Sequence, residues 1–466
     1  MRSVPGQRWL DAVSPNVRWG CCVVALAWYQ WAPFPANLLA MPVFLVGAGA
    51  WPVAAVQAAV VALPLVQSPR PLVGPWAVAA PEVAIVLLGA AFVGRLLLMG
   101  RRAAPGWRNV QTPEWGALAL VVLGCVSLLV AVRAPESLRS LRTVIVEPVV
   151  LYAIAIAAAD DRRAPGRYAA AIVAAGAFAS VVGLVQYVIN QNLITAEEDI
   201  RRIRAFYGSP NNLGLLLDRT LPLAVALVLI GSRPRWLAVG VAVVSAAGMA
   251  LTLSLGAWAA VAGGLLVVAA TAGRRVLYAT VAAGVVGVGA ALLLIGRSER
   301  FLSHLDFSEG TSFLRLRVWQ SAVHMVGDHP VLGIGLDNFL YYYRDLGYML
   351  PEAWREPALS HPHNWVLDCW LSLGIVGLLG ACWLGSWLVR RALALVRDAD
   401  RGDRLLAGGV LGAFVATVAH GTIDNSFFLP DLAVLFWMGF AIVRLLSPAS
   451  GVGGGAGRTP EGGIVG

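Results

Sequence analysis

The sequence predicts an all-α polytopic membrane protein of 12–14 transmembrane helices with one large helical loop on the extracytoplasmic side. Three observations predict it. Of 466 residues, 58% are hydrophobic and 13% charged, and mean hydropathy is +0.73, a balance far from that of soluble globular domains. Apolar runs of about 17–25 residues, enough to cross a hydrocarbon core, recur from residue 19 to residue 446. Arginines gather in alternate short loops, the pattern that orients a multi-pass chain.

Taken in order, the expected spans lie near 19–33, 36–51, 53–67, 76–95, 115–132, 143–159, 168–189, 212–231, 236–252, 256–272, 276–296, 364–389, 405–421 and 429–446. The first lacks a short apolar core followed by a small-residue cleavage site, so it reads as a retained anchor. The second and third are short, and either two spans or one broken, re-entrant element fits them. Arginine clusters follow at Arg95, Arg101, Arg102 and Arg108, then at Arg162, Arg163 and Arg167. Arg233 with Arg235, Arg274 with Arg275, and the group from Arg390 to Arg404 complete the set. An even number of spans separates successive clusters, which puts all of them, and both termini, in the cytoplasm.

Four parts result: a membrane bundle over 1–296, an extracytoplasmic loop over 297–363, C-terminal spans over 364–446, and a Gly-rich tail over 447–466 expected to be disordered and cytoplasmic. The other outer loops are 133–142, 190–211, the turn Leu253–Gly256 and 421–428. Five of the six histidines fall in the large loop, and His420 faces the same side.

The net charge of +9 is carried without a single lysine. Arginine's planar fork suits phosphate, but these arginines are scattered among short loops and form no face for nucleic acid. Cys21, Cys22, Cys125, Cys369 and Cys382 all sit inside apolar runs and read as buried hydrophobes, not disulfides or metal ligands. No Walker, Rossmann or zinc-finger spacing occurs, so no cofactor is expected.

The polar motifs concentrate the chemistry. In Ser360-His361-Pro362-His363-Asn364, Pro362 suits a first helical turn, placing both histidines at the outer N-terminus of a span. The positive end of a helix dipole disfavours imidazolium and so suits a general base. A capping cluster is the plainer alternative, and a metal site needs more ligands than Glu352, Glu356 and Asp368 offer at their spacing. Residues 311–326 form an amphipathic helix closed by Gly327 and the turn Asp328-His329-Pro330. Its Phe313, Leu316, Trp319, Val323 and Val326 suit the membrane–water boundary. Arg315 and Arg317 on that helix, with Arg204 and Arg139 from neighbouring loops, either anchor the interface or converge on a pyrophosphate. Asn211 and Asn212 open a span beside an N-cap. Asp218, Arg219, Glu82, Glu147 and Asp368 lie within spans and are expected to be paired there.

The motifs RAFYGSPNNLGLLL, TLSLGAW, RLRVWQSAVHMVGDHPVLGIGLDNF, SHPHNWVLDCWLSLGIVGL and GTIDNSFF, in that order, resemble the O-antigen ligase and polymerase superfamily over residues 140–445. The resemblance implies a GT-C-like membrane glycosyltransferase without metal or cofactor. It would move a glycan from an undecaprenyl-pyrophosphate carrier to a lipid-core, protein or glycan-chain acceptor outside the cytoplasmic membrane. It casts His363 or His361 as the base and Arg204, Arg315, Arg317 and Arg139 as the diphosphate clamp. Asn211, Asn212, Trp319, Asn364 and Asp424 would support the pocket. TLSLGAW departs from the family by placing Leu255 where an arginine is usual, so another arginine takes that part or the donor differs. A polymerase and a flippase of lipid-linked sugars are the alternatives.

Overall fold

The computed structural model describes residues 13–74, 76–106, 110–195, 201–232, 234–296, 302–303, 306–425 and 427–447. Arg108, Arg233, His304 and the tail after Ser447 lie outside the described residues. Fifteen helices matter below: α1 (Pro15–Trp31), α2 (Ala40–Ala50), α3 (Pro52–Val61), α4 (Ala80–Met99), α5 (Thr112–Ser127), α6 (Ala134–Ala158), α7 (Ala164–Val188), α8 (Pro210–Ile230), α9 (Arg235–Thr252), α10 (Leu255–Ala272), α11 (Arg274–Ile295), α12 (Thr311–Asp328), α13 (Trp365–Asp398), α14 (Arg401–Gly421) and α15 (Pro430–Leu446). Among the described residues, strands are confined to two small antiparallel pairs, β1 (Arg70–Val73) with β2 (Trp76–Val78) and β3 (Ile194–Thr195) with β4 (Arg201–Arg202).

The architecture is all-α and polytopic, as the sequence predicts. Each expected span contains a helix, with α12 alone among the fifteen lying in the large loop. Among the described residues, eight helices are long and apolar enough to cross a membrane. The second and third expected spans become α2 and α3, broken at Trp51. Trp51 precedes Pro52, and a residue before proline is pushed out of the helical region.

Three boundaries differ from expectation, each for a local reason. The outer loop 133–142 is mostly helical, because Pro135 and Glu136 make a favourable first turn. A π-helical stretch, Leu141–Val146, then joins this turn to the rest of α6. Helix α13 continues past residue 389 to Asp398, so Arg390, Arg391 and Arg397 ride on helix. Asn364, not a residue before it, caps α13: its side chain accepts the N–H groups of Val366 and Leu367. Pro362 therefore precedes the helix and is not in its first turn.

Helices α6, α8 and α14 form the centre, with 72% of the apolar stretch of each buried, whereas α9 at 22% and α4 at 28% stand at the rim. Small residues let the central helices approach. A Cβ on Gly264 would lie 2.6 Å from the Gly412 carbonyl oxygen, so α10 and α14 cross in backbone contact. Four of the five charged residues expected to be paired within the spans are paired. Asp218 bonds Arg219 at 3.0 Å and His420 Nδ1 at 2.8 Å, all three buried. Arg142 bridges Glu82 and Glu147 at 2.7 Å each. Asp368 is the exception: its Oδ2 is buried without a hydrogen-bond partner.

The large loop is a compact cap with its own apolar core of Val318, Ala322, Met325, Ile334, Phe339 and Tyr343, closed by Leu371 of α13. Its V-L-G-I-G turn enters a break in that helix. The Ile334 N–H donates to the Leu371 carbonyl at 2.7 Å, and Trp370 Nε1 donates to the Pro330 carbonyl at 2.7 Å. Gly374 has φ of 73° in the middle of α13, and a Cβ there would lie 1.9 Å from the Val331 carbonyl oxygen. Only glycine suits that crossing. The following L-D-N turn docks on α6. Asn338 donates to Ser137 Oγ at 2.6 Å and accepts the Arg133 N–H at 2.8 Å.

Candidate functional site

The cap and the α14–α15 loop bring one cluster together above α13. His363 Nδ1 lies 3.0 Å from Asp424 Oδ1. His361 Nε2 lies 3.7 Å from the same oxygen, an ion-pair contact too long for a hydrogen bond. The two rings meet edge to face with centroids 4.5 Å apart, and His361 Nδ1 is 2.9 Å from Ser360 Oγ.

The sequence builds this geometry locally. Asn364 caps α13 and donates through Nδ2 to the Thr422 carbonyl at 3.1 Å, tying the histidine turn to the α14–α15 loop. His363 takes φ of 52°, a left-handed conformation that costs of order 1–3 kcal/mol in a non-glycine residue. Asp424 is buried, and its Oδ1 also accepts the Asn425 N–H at 2.8 Å. Burial pushes its carboxyl upward, but the two imidazoles outweigh that and hold it well below the usual carboxylate range. The result is a fixed negative charge facing two imidazoles. With Nδ1 of His363 directed at Asp424, its Nε2 is the nitrogen left to exchange a proton.

Other residues singled out in the sequence are placed around this cluster. Arg139 and His361 both lie within electrostatic reach of Asp337, so the docked L-D-N turn links Arg139 to the histidines. Arg317 stacks on Phe313 at 4.8 Å and bonds Gln320 at 2.8 Å. Its Nε and the Trp319 Nε1 are buried donors without acceptors. Arg315 is half-buried on the same helix. Arg204 is held by Asn192 Oδ1, at 3.0 Å from Nε and 2.6 Å from Nη2, in an exposed loop beside α8. Among the described residues, no hydrogen bond or ion pair joins Arg204, Arg315 or Arg317 to the histidines. His324 is exposed on α12, and His329 packs edge to face on Tyr342 at 5.3 Å.

Asn211 holds a residue the sequence reading missed. Arg202 is buried, donates to the Thr252 carbonyl at 2.8 Å and to Asn211 Oδ1 at 3.1 Å. It thus brings a guanidinium to the turn that leads into Leu255. The R-R-I-R run was the available signal. Asn212 is not the cap of α8: Ser209 Oγ accepts its N–H at 3.2 Å. Asp368, whose Oδ2 lacks a partner, lies one turn into α13 within electrostatic reach of His361.

An apolar cavity of about 550 Å³ starts beside the cluster, at Trp365 and Phe427, and follows α13 down to Arg390. The ligand-type atoms of His361, His363 and Asp424 lie within 4.8 Å of one another, close enough to hold an ion in common.

An all-helical bundle with a polar cluster at one end and an apolar cavity beneath it defines a multi-pass membrane protein working at a membrane surface. Residues 220–382 match the family described as O-antigen ligase, a likeness consistent with the O-antigen ligase and polymerase superfamily. The match covers His361 and His363, while Arg204 and Asp424 fall outside it. No curated protein matches the chain.

Proposed function

We propose that this enzyme transfers a glycan from an undecaprenyl-pyrophosphate carrier to an acceptor hydroxyl at the outer face of the cytoplasmic membrane, as a ligase, without a metal and with inversion. The observation that carries the reading is the His363–Asp424 contact of 3.0 Å beside an apolar cavity. Asp424 fixes the His363 ring and stabilises the imidazolium that forms when Nε2 accepts a proton, the role a carboxylate plays behind a catalytic histidine. His361, with Nδ1 at Ser360 Oγ and Nε2 3.7 Å from the same carboxylate, is assigned the supporting part.

The acceptor O–H gives its proton to His363 Nε2 as its oxygen attacks the anomeric carbon. The bond from that carbon to the pyrophosphate oxygen breaks, and its electron pair leaves with the lipid pyrophosphate. Attack opposite the leaving group inverts the centre. Arg139, Arg204, Arg315 and Arg317 are the cations assigned to the departing charge. Arg317 Nε and Trp319 Nε1, lacking acceptors, are donors a diphosphate or sugar oxygen would satisfy. Beneath the cluster, the cavity along α13 suits the polyprenyl chain.

The site then faces the exterior, with both termini cytoplasmic. A metal-bound form is the second reading, favoured by the spacing of His361, His363 and Asp424. Transfer assayed with purified enzyme and undecaprenyl-pyrophosphate-linked donor, with and without chelator, separates the readings. Transfer unaffected by chelator is expected. Loss that zinc restores would establish the metal, and carrier movement in vesicles without transfer would make the protein a flippase. Elongation of the donor glycan in place of transfer to a lipid-core or protein sugar would make it a polymerase.

A further inference from the structure

Arg204 and the histidines, though not bonded to each other, are fastened to the same segment. Arg204 belongs to a tight turn between β4 and α8, in which the Tyr207 N–H donates to the Arg204 carbonyl at 2.9 Å. Ala205, between them, takes φ of 52°, a conformation that a residue with a side chain keeps only where its surroundings impose it. Side chains from the end of α7 and just beyond it do so on one side. Asn192 Nδ2 donates to the Ala205 carbonyl at 2.8 Å and Gln186 Nε2 at 3.3 Å. Asn192 is also the residue whose Oδ1 holds the Arg204 guanidinium.

On the other side of the turn stands Tyr207, buried, with its hydroxyl donating to Asp431 Oδ2 at 2.9 Å. Burial and the neighbouring carboxylate push the Tyr207 phenol well above its ordinary value, so the hydroxyl keeps its proton and remains the donor. Asp431 is buried in the first turn of α15, directly after the loop that carries Asp424. That loop in turn holds the histidine turn, through His363–Asp424 and Asn364–Thr422. One short segment, from Thr422 to Asp431, therefore takes a hydrogen bond from each half of the site. Arg219 of α8 lies within electrostatic reach of Asp431, so the carboxylate also serves the bundle, and the tyrosine hydroxyl is the part peculiar to the Arg204 turn.

We propose that Tyr207 is a positioning residue for transfer: bonded to Asp431, it sets where the Arg204 guanidinium stands relative to the His363–Asp424 pair, on the reading of Arg204 as a contact of the donor diphosphate. Without the hydroxyl, Arg204 keeps its charge and its Asn192 contact, but its turn is fixed on one side only. A guanidinium recognises a diphosphate by oriented, paired hydrogen bonds, and small displacements of a positioning group are costly.

Donor KM, acceptor KM and kcat, measured with purified undecaprenyl-pyrophosphate-linked donor for wild type, Tyr207→Phe, Arg204→Gln and the double variant, test it. Tyr207→Phe should raise donor KM roughly tenfold. Acceptor KM and kcat should stay within about twofold of wild type, since a contact made equally before and during reaction appears in KM alone. Arg204→Gln should raise donor KM as much or more, and adding Tyr207→Phe to it should change nothing further, because the hydroxyl acts through the guanidinium. Melting temperatures show which variants fold. If Tyr207→Phe does not, Tyr207→Phe combined with Asp431→Asn, which removes the buried charge that the lost hydroxyl would strand, carries the comparison. Donor KM unchanged in Arg204→Gln would strike the reading of Arg204, and the proposal with it. Donor KM raised in Arg204→Gln but not in Tyr207→Phe, or raised by Tyr207→Phe to the same extent in both backgrounds, would overturn the proposal and leave that reading standing.

Discussion

At the residue scale the account rests on a carboxylate that stays ionised. Asp424 sits below its ordinary range despite burial, so the charge behind His363 persists across the working pH. A depressed folded-state value gives stability that is present above the unfolded value near 4 and lost as pH falls through the folded one. Asp424→Asn should therefore flatten the stability profile on the acid side of about pH 4, as read by thermal melts across pH. It should also lower kcat by about 100-fold or more, by loss of ring orientation and imidazolium stabilisation. A melt profile identical to wild type below that pH would contradict the charge assignment. The histidines were legible in the sequence because H-x-H-N is compact. Asp424 was legible only through resemblance, since 61 residues separate it from His363 and no local spacing reports a contact across two helices. Arg202 escaped because one arginine in an R-R-I-R run looks like the next until burial tells them apart.

At the element scale, the cap is fastened to α13 by a glycine crossing and to α6 by hydrogen bonds of Asn338, Leu336 and Tyr341. Gly374→Ala would push a methyl group into the Val331 carbonyl at a positive φ, costing about 2 kcal/mol or more. A lowered melting temperature with loosened proteolytic protection of residues 311–364 is the expected result, and an unchanged melt would contradict the crossing. Asn338→Ala leaves the Arg133 N–H without its acceptor, a loss of about 1–3 kcal/mol. Sequence periodicity located the spans well because lipid demands length and apolarity of each segment in isolation. It placed helix ends poorly. The start of α6 is polar enough to pass for a loop, and the break at Gly374 depends on a turn some 40 residues away.

At the scale of the whole molecule, the bundle holds two large cavities walled by different helices. The apolar one descends from the histidine cluster along α13, lined at mid-depth by Cys382, Leu384 and Phe414. Cys382→Trp should fill it and raise KM for the long-chain donor by about tenfold while sparing kcat. A short-chain donor analogue should be unaffected, and equal effects on both donors would remove the cavity from the reaction. The arginine clusters alone indicated which helix ends share a face. In the structure the ends of α4 and α6, the start of α7 and the α2–α3 break gather around one cavity, in keeping with that count. Neither cavity was visible in sequence, because each is walled by segments far apart along the chain.

The central claim is that His363, oriented by Asp424, takes the acceptor proton. The most direct measurement is single-turnover transfer from purified undecaprenyl-pyrophosphate-linked donor by wild type, His363→Ala and His361→Ala, each shown to be folded by its melt. The account predicts a loss of about 100-fold or more in His363→Ala and a smaller loss in His361→Ala. Wild-type rates in His363→Ala, or the larger loss in His361→Ala, would contradict it.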